Sequence, residues 1–423
     1  MTLQAIRQPV SFIAWLKRIR SECYVFSPVL FAVMLLHGEF FFRSGSPFEQ
    51  HFLAFPGVRE LYIALCGLAA GSAVVEGLRR GRFFSGDLVL IFFVSSFALG
   101  SAVLAYLKFG QPIIFGLFEE RRVLMFFGLF LILAAYHQFD DRPEALIGAV
   151  YWTALIYLVL GLVMQAGALG DLSMRDIPAF DPRKYRILVG SNLYAASVMI
   201  GAVMIIRFNA WEHLVPVLVG TTGLLVISQT RSTILILAVA VVLFFAVTAL
   251  WRFLLIAACV VIGTIAFLLW PTPPSRGVDV LVAEIDVRVN TAGKIFDALY
   301  MNDWIGMGAL SLQWQNGFHR VYDRFFYLSD VGVVGELYRF GMFLPIIYAG
   351  LAITLFCYFR QAMDPHGRSI GYGLLLLFIL NAPGGGLVAF AGINWALLIA
   401  FTIAFRLPSA LPRTMSTRLR VKF

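Results

Sequence analysis

The chain has 423 residues, of which 60% are hydrophobic and only 13% are charged, and its mean hydropathy is +0.84. These values exclude an ordinary soluble globular domain and predict an all-α, polytopic membrane protein. The formal net charge of +9 would favour nucleic acid as the partner of a soluble protein. In a membrane protein it follows from basic residues beside short cytoplasmic loops, so no nucleic-acid partner is expected.

Apolar runs of about 18 to 25 residues predict about 12 membrane-spanning helices. They lie near residues 23–42, 58–77, 87–107, 122–137, 145–167, 187–206, 213–229, 232–250, 253–270, 331–358, 370–383 and 387–405. Residues 381–386 interrupt the last pair of runs. The eleventh is therefore open between a short span, a re-entrant hairpin and a broken helix.

Basic residues beside the short loops set the predicted orientation. They are Lys17, Arg18 and Arg20, then Arg79, Arg80 and Arg82, and in the tail Arg413, Arg418, Arg420 and Lys422. Both termini are therefore expected in the cytoplasm. No small-residue cleavage site closes the first span, so we expect it to be retained.

Three segments divide the chain. Residues 1–270 contain spans 1–9, residues 271–330 form one long periplasmic loop, and residues 331–423 contain spans 10–12 and the basic tail. The loop is the only long interval that mixes charge, turn residues and aromatic side chains, so we expect the chemistry there.

An amphipathic helix is predicted within the loop. Ala292, Ile295, Phe296 and Leu299 recur at helical spacing beside polar residues. Such a helix lies either on the membrane surface or on the ends of the spanning helices. Segment 302–308 is expected to end it in a turn.

Charged residues near the predicted spans cluster towards the outer ends, and none lies at mid-depth. They are Glu39, Arg43, Glu119, Glu120, Arg121, Arg122, Arg186, Arg231, Asp330, Glu336 and Arg339. An ion-coupled transporter usually places ionisable residues near the midplane. The distribution therefore favours a site at the outer leaflet over a path through the membrane.

Two basic positions are candidates for binding an anion at that leaflet. Arg231 breaks the apolar run 214–250, and is either an arginine that reaches the interface or a bidentate ligand of a phosphate. Arg186 shortly precedes Asn192, where a span begins. It belongs either to a solvated basic loop or, with the helix N-terminus, to an anion site.

A third polar group precedes and enters the tenth span. Asp330 is either a helix N-cap or a general base, and His319 is either an exposed loop histidine or that base. Asp330 is preferred because it stands at the mouth of the span, near the predicted depth of the two arginines. Glu336 and Arg339 are most simply a structural ion pair. The group also contains Arg320 and Arg324, and Arg288 lies earlier in the loop.

Four motifs lie between residues 180 and 345. They are Arg186 with Gly190 and Asn192, Ser228-Gln-Thr-Arg231-Ser-Thr233 at the start of a span, Trp304-Ile-Gly-Met-Gly308, and Tyr327-Leu-Ser-Asp-Val-Gly-Val-Val-Gly335. Together with the layout of spans, they resemble the bacterial O-antigen polymerase and O-antigen ligase superfamily.

The resemblance implies a metal-independent glycosyltransferase of the bacterial inner membrane, without a cofactor, that takes a glycan from an undecaprenyl diphosphate donor at the periplasmic face. Its implied partners are the lipid-linked donor and acceptor, the lipid bilayer, a flippase and a chain-length regulator. Arg186 and Arg231 match the family's diphosphate-binding arginines. The predicted substrate-binding residues are Arg186, Arg231, Asn192, Arg288, Arg320, Arg324 and Arg339, and the predicted catalytic residues are Asp330 and His319.

Two departures from the family pattern bear on the reaction. The family often has Pro-Asn where this chain has Ser191-Asn192, and a His-Asn pair where this chain has Arg324-Phe325. Because the ligase-type histidine is absent from its expected place, the resemblance favours a polymerase of exopolysaccharide or O-antigen. The alternatives are ligation of O-antigen to the lipid A core and transport of a lipid-linked oligosaccharide by a flippase.

Overall fold

The computed structural model describes most of the predicted helical segments. The described residues are 25–42, 55–81, 86–139, 142–166, 190–228, 231–246, 278–311, 313–315, 317, 328, 331–361, 363–381, 386–388 and 392–406. All regular structure in them is helical, apart from three isolated β-bridges. The predicted all-α class is therefore confirmed. The predicted span 253–270 and the basic residues of both termini lie outside the described residues.

The helices follow the apolar runs closely. In chain order they are α1 (Pro28–His37), α2 (Val58–Arg79), α3 (Gly86–Phe109), α4 (Ile113–Glu119), α5 (Arg121–Leu124), α6 (Gly128–Phe139), α7 (Pro143–Gln165), α8 (Ser191–Phe208), α9 (Leu214–Thr222), α10 (Arg231–Ala246), α11 (Val278–Tyr300), α12 (Gly332–Phe340), α13 (Leu344–Phe359), α14 (Pro365–Leu380) and α15 (Gly392–Ala404). Short 3-10 turns, Met125–Phe127 and Trp211–His213, precede α6 and α9, and a π-helical segment, Gly223–Ser228, extends α9.

Five helical stretches in the described residues are long and apolar enough to cross a membrane. They are Val58–Arg79, Gly86–Phe109, Pro143–Gln165, Ser191–Phe208 and Trp211–Ser228. Shorter apolar helices are Pro28–His37, Thr233–Val242, Leu344–Phe359 and Gly392–Ala404. The chain is thus an all-α membrane protein, and the described residues supply five candidate spans where the sequence predicts about 12.

Helices α8 and α10 begin at the same end of the bundle. Gly201 in the second half of α8 lies against His213, whereas Gly220 near the end of α9 lies against Tyr194 in the first turn of α8. Helices α8 and α9 are therefore antiparallel, and the π-helical segment after α9 ends beside the start of α8. Since only two residues separate Ser228 from Arg231, α10 starts there too.

Helix α1 ends at the same place. Gly38 lies against Leu193 of α8. The His37 ring donates from Nε2 to the main-chain oxygen of Ile393 in α15 at 3.0 Å, so Nδ1 accepts from the hydroxyl of Tyr62 in α2 at 2.6 Å. We call this end, where α1 and α7 end and α2, α8, α10 and α15 begin, the site end.

The predicted continuous span 331–358 is wrong, because α12 and α13 are separate helices. Between them, Gly341 has a φ of +55°, and the N–H of Met342 donates to the main-chain oxygen of Trp304 at 2.9 Å. A Cβ at Gly341 would collide with that oxygen and with the nitrogen of Gly306. Packing against a distant segment therefore ends α12 after nine residues.

The predicted amphipathic helix is present as the second half of α11. It buries Thr291, Ile295 and Leu299, whereas Phe296, expected on the same face, is 43% exposed. The helix ends at Tyr300 in a turn, as expected. Its buried face packs with Met307, Leu310 and Tyr338. The sequence left two supports open, the membrane surface and the ends of the spanning helices. The structure shows contact of this face with α12 and with residues 307–310, which follow α11.

Candidate functional site

A buried ionic cluster lies beside the site end. The guanidinium of Arg339 in α12 contacts the carboxylate of Glu120, between α4 and α5, at 3.0 Å and that of Glu119 at 3.8 Å. The Ser101 hydroxyl of α3 donates to Glu120 at 2.6 Å. The side chains of Arg339 and Glu120 are 4% and 0% exposed. We call Ser101, Glu119, Glu120 and Arg339 the ionic cluster.

The charges of the cluster stabilise one another. Burial raises the pKa of Glu120, and the opposing effects of Arg339 and the Ser101 hydrogen bond limit that rise. Burial also acts to lower the pKa of Arg339, but Glu120 and Glu119 outweigh it and raise that pKa. The attraction between Arg339 and Glu120 therefore opposes the cost of burying either charge.

The predicted ion pair between Glu336 and Arg339 is wrong. Among the described residues, Arg339 forms its ion pairs within 4 Å with Glu119 and Glu120. Glu336 instead accepts a hydrogen bond from the Tyr348 hydroxyl at 2.6 Å. It also accepts from the main-chain N–H groups of Leu387 at 3.0 Å and Val388 at 2.6 Å. Its carboxylate thus holds the segment before α15 against α12 and α13.

Segment 305–311 runs between α3 and α12 and is bonded to both. On the α3 side, the N–H of Ala309 donates to the main-chain oxygen of Ser101 at 3.1 Å. The Gln111 side chain donates to the oxygen of Ala309 at 2.9 Å and accepts from the N–H of Ser311 at 2.7 Å. A buried amide therefore fixes this segment without any regular secondary structure.

The glycines of the motif at 304–308 have a structural reason. On the α12 side, the N–H of Met307 donates to the oxygen of Tyr338 at 2.8 Å, and that of Gly308 donates to the oxygen of Arg339 at 3.0 Å. A Cβ at Gly306 would collide with the Arg339 oxygen, and one at Gly308, where φ is +73°, with main-chain atoms of α3. Only glycine fits these two close approaches.

The structure gives the surroundings of some predicted site residues. Asn192 is half-buried in the first turn of α8, after Gly190 with a φ of +86°. Arg231 is the first residue of α10 and Arg288 lies in α11, but the described part of the structure does not include their side chains. Arg186, His319, Arg320, Arg324 and Asp330 lie outside the described residues.

The roles of these residues therefore stay predictions. For Arg339, which was predicted to bind substrate, the structure shows a buried ion pair, and any contact with substrate is still a prediction. In the described residues, no group of three or more His, Cys, Asp or Glu side chains is placed to hold a metal ion.

Sequence reasoning missed the two polar groups that order this region. Glu120 was recognised only as one of several charges near an outer end, and its pairing with Arg339 has no local signal because the two residues are far apart along the chain. Gln111 was not singled out at all. A polar residue between two apolar runs, followed by Pro112, is the only hint that the sequence offers.

Comparison of the chain with protein-family models, curated proteins and solved structures finds no match. The function of the chain is therefore inferred from its own residues.

Proposed function

We propose that the chain is a polymerase of a bacterial surface polysaccharide, either an exopolysaccharide or an O-antigen. It transfers a glycan linked to undecaprenyl diphosphate to an acceptor sugar at the periplasmic face of the inner membrane. The alternatives weighed against it are ligation to the lipid A core and flipping of a lipid-linked oligosaccharide.

The observation that carries the proposal is the common start of α8 and α10 at the site end. Arg186 shortly precedes α8, and Arg231 is the first residue of α10. The first amide groups of a helix favour an anion, and arginine binds phosphate oxygens in a bidentate manner. Two helix starts with two arginines at one end of a bundle form a suitable environment for a diphosphate.

The proposed reaction needs no metal. An acceptor hydroxyl attacks the anomeric carbon of the donor, the bond from that carbon to the diphosphate oxygen breaks, and undecaprenyl diphosphate leaves. The acceptor's proton passes to a base, for which Asp330 is preferred over His319. Positive charge on Arg186 and Arg231 stabilises the negative charge that develops on the leaving group.

The proposed topology has about 12 spans with both termini in the cytoplasm and the site end on the periplasmic side. Loop 271–330 then lies over the site end, and the packing of α11 on α12 supports this arrangement. A flippase that supplies the substrate and a chain-length regulator are the expected partners.

The test is polymer length in cells whose own copy of the gene is replaced by a variant. Arg186→Ala and Arg231→Ala are each expected to abolish long polymer at normal protein levels. Arg207→Ala is the matched control, because this arginine is exposed at the opposite end of α8. Long polymer in both arginine variants would refute the assignment. Long polymer that stays on its lipid carrier would indicate the ligase, and loss of periplasmic lipid-linked units would indicate the flippase.

A further inference from the structure

An arginine at the start of α2 is buried and forms no ion pair with the described residues. Arg59 is 6% exposed, and its guanidinium lies over the Phe42 ring, 5.6 Å from the centroid. Within the described residues it has no ion pair at 4.0 Å or less, and its Nε has no hydrogen-bond partner. A buried cation without a directly bonded carboxylate is costly, so a bound anion is the expected compensation.

Further arginines lie near Arg59 on another element. Arg121 and Arg122, at the start of α5, are close enough to repel it, and Glu39 and Glu60 attract it. Glu60 is exposed. Arg121 makes no hydrogen bond or ion pair with the described part of the chain, and Oε1 of Glu39 is buried there without a partner. We call Arg59, Arg121 and Arg122 the arginine triad.

The start of α2 adds amide donors to the triad. The N-cap residue is Gly57, with a φ of +83°, and no side chain caps the helix. The first N–H groups of this 22-residue helix are thus not satisfied by a cap. The start of α2 and the arginine triad favour the same ligand, a phosphate or a diphosphate.

The triad lies in a different part of the site end from Arg231. Helix α2 packs on α1, α3 and α6, whereas α10 packs on α8 and α14. An anion at the triad is therefore additional to one held between the starts of α8 and α10.

An exposed apolar face runs along α2. Leu61, Leu68 and Val75 lie on it at intervals of seven residues, and Leu68 is 71% exposed. Arg59 lies on the opposite face, with the buried residues Tyr62, Cys66 and Ala70. In a helix that crosses a membrane, the exposed face contacts lipid. The diphosphate of a lipid whose chain lies there would reach Arg59 around the start of α2.

We propose that the arginine triad binds the diphosphate of a second lipid-linked glycan, the acceptor. This rests on the proposed function, because a polymerase that joins two lipid-linked glycans holds two isoprenoid diphosphates at once. The acceptor diphosphate keeps its bond to sugar throughout, so the triad anchors the acceptor and takes no part in bond cleavage.

The test is the binding stoichiometry of undecaprenyl diphosphate to the full chain in phosphatidylcholine nanodiscs, measured by native mass spectrometry. The wild type is expected to bind two molecules. Arg59→Gln and Arg121→Gln should each weaken one of the two sites by about 30-fold or more, and Arg231→Ala should remove the other. The matched control is Arg80→Gln, at the opposite end of α2, where Arg80 is exposed and paired with Glu76 at 2.6 Å.

Unfolding of the ligand-free variants separates lost binding from lost structure. Arg59→Gln removes both the repulsion from Arg121 and Arg122 and the attraction to Glu39, so its unfolding temperature should change little. A large decrease in the unfolding temperature of Arg59→Gln would contradict this. The binding test then rests on Arg121→Gln, which replaces a half-buried side chain. Wild-type binding in both variants would overturn the inference.

Inorganic diphosphate is the second probe. If it binds the triad as tightly as the lipid does, the lipid-linked ligand is refuted. The proposed function fails separately, if Arg186→Ala and Arg231→Ala cells make long polymer while the triad still binds the lipid.

Discussion

Arg339→Met is expected to destabilise the protein strongly, because it breaks the ionic cluster from one side. In the wild type, Arg339 contacts Glu120 at 3.0 Å and Glu119 at 3.8 Å, and the Glu120 side chain is fully buried. The variant leaves the Glu120 carboxylate in place, with the Ser101 hydroxyl at 2.6 Å as a remaining donor. Methionine fills much of the arginine's volume, so lost charge rather than a cavity dominates.

The expected cost is about 3–5 kcal/mol of unfolding free energy, as for other buried pairs that lose one partner. Glu120→Gln should cost less, about 1–3 kcal/mol, because the amide keeps a bond to Ser101 and Glu119 still balances Arg339. The double variant leaves no buried carboxylate at position 120. Its cost is therefore expected to fall below the sum of the single costs by about 1–3 kcal/mol.

The loss of unfolding free energy in Arg339→Met also depends on pH. Burial already raises the pKa of Glu120 in the wild type, and removing Arg339 raises it further. A carboxylate with a raised pKa in the folded state is destabilising while ionised, and protonation relieves this as pH falls through that pKa. The difference in unfolding free energy between variant and wild type should therefore shrink as the pH falls.

The assay is reversible unfolding in detergent micelles for the wild type, both single variants and the double variant. Arg80→Met is the exposed control, and its expected effect is no more than about 1 kcal/mol. If Arg339→Met costs less than about 1 kcal/mol, or if the two single costs simply add, the ionic cluster is not the stabilising pair described.

Three further predictions follow from other contacts. Gly308→Ala should destabilise the protein, because φ is +73° and main-chain atoms of α3 occupy the Cβ position. Gly67→Ala, where a Cβ would meet nothing within 4 Å, should be neutral or stabilising. Equal unfolding temperatures of the two variants would contradict this. Glu336→Gln should speed hydrogen exchange in the loop that this carboxylate holds before α15, and unchanged exchange would show that the loop does not depend on it. Asp330→Asn should keep the fold but abolish polymer while His319→Ala leaves most of it, and wild-type polymer from Asp330→Asn would reduce Asp330 to a helix cap.

Local properties of the chain were predictable from its sequence. The runs 58–77, 87–107, 145–167 and 187–206 correspond to α2, α3, α7 and α8 because apolar length is a property of the segment itself. The end of α11 at Tyr300 was equally predictable, since the turn residues follow directly.

Features that depend on distant contacts were not predictable. The break at Gly341 is accompanied by contact with residues 304–306, which the sequence does not signal. Gly341 and Pro345, in the first turn of α13, are local signals that one helix ends and the next begins, and the prediction did not use them. In the same way, Glu336 and Arg339 are three residues apart and suggest a pair, yet their partners, the main-chain N–H of Leu387 and the carboxylate of Glu120, come from distant parts of the chain. Local spacing sets which charges can meet, and tertiary packing decides which of them do.

The most direct test of the proposed polymerase activity is reconstitution. The purified chain, in liposomes with EDTA, is supplied with the lipid-linked repeat unit of the organism that carries the gene. The products are separated by length, and the released undecaprenyl diphosphate is measured. We predict polymer of many repeats, one undecaprenyl diphosphate released per bond formed, no product with Arg231→Ala and wild-type product with Arg207→Ala. Repeat units that cross the bilayer without joining would contradict the polymerase and indicate a transporter.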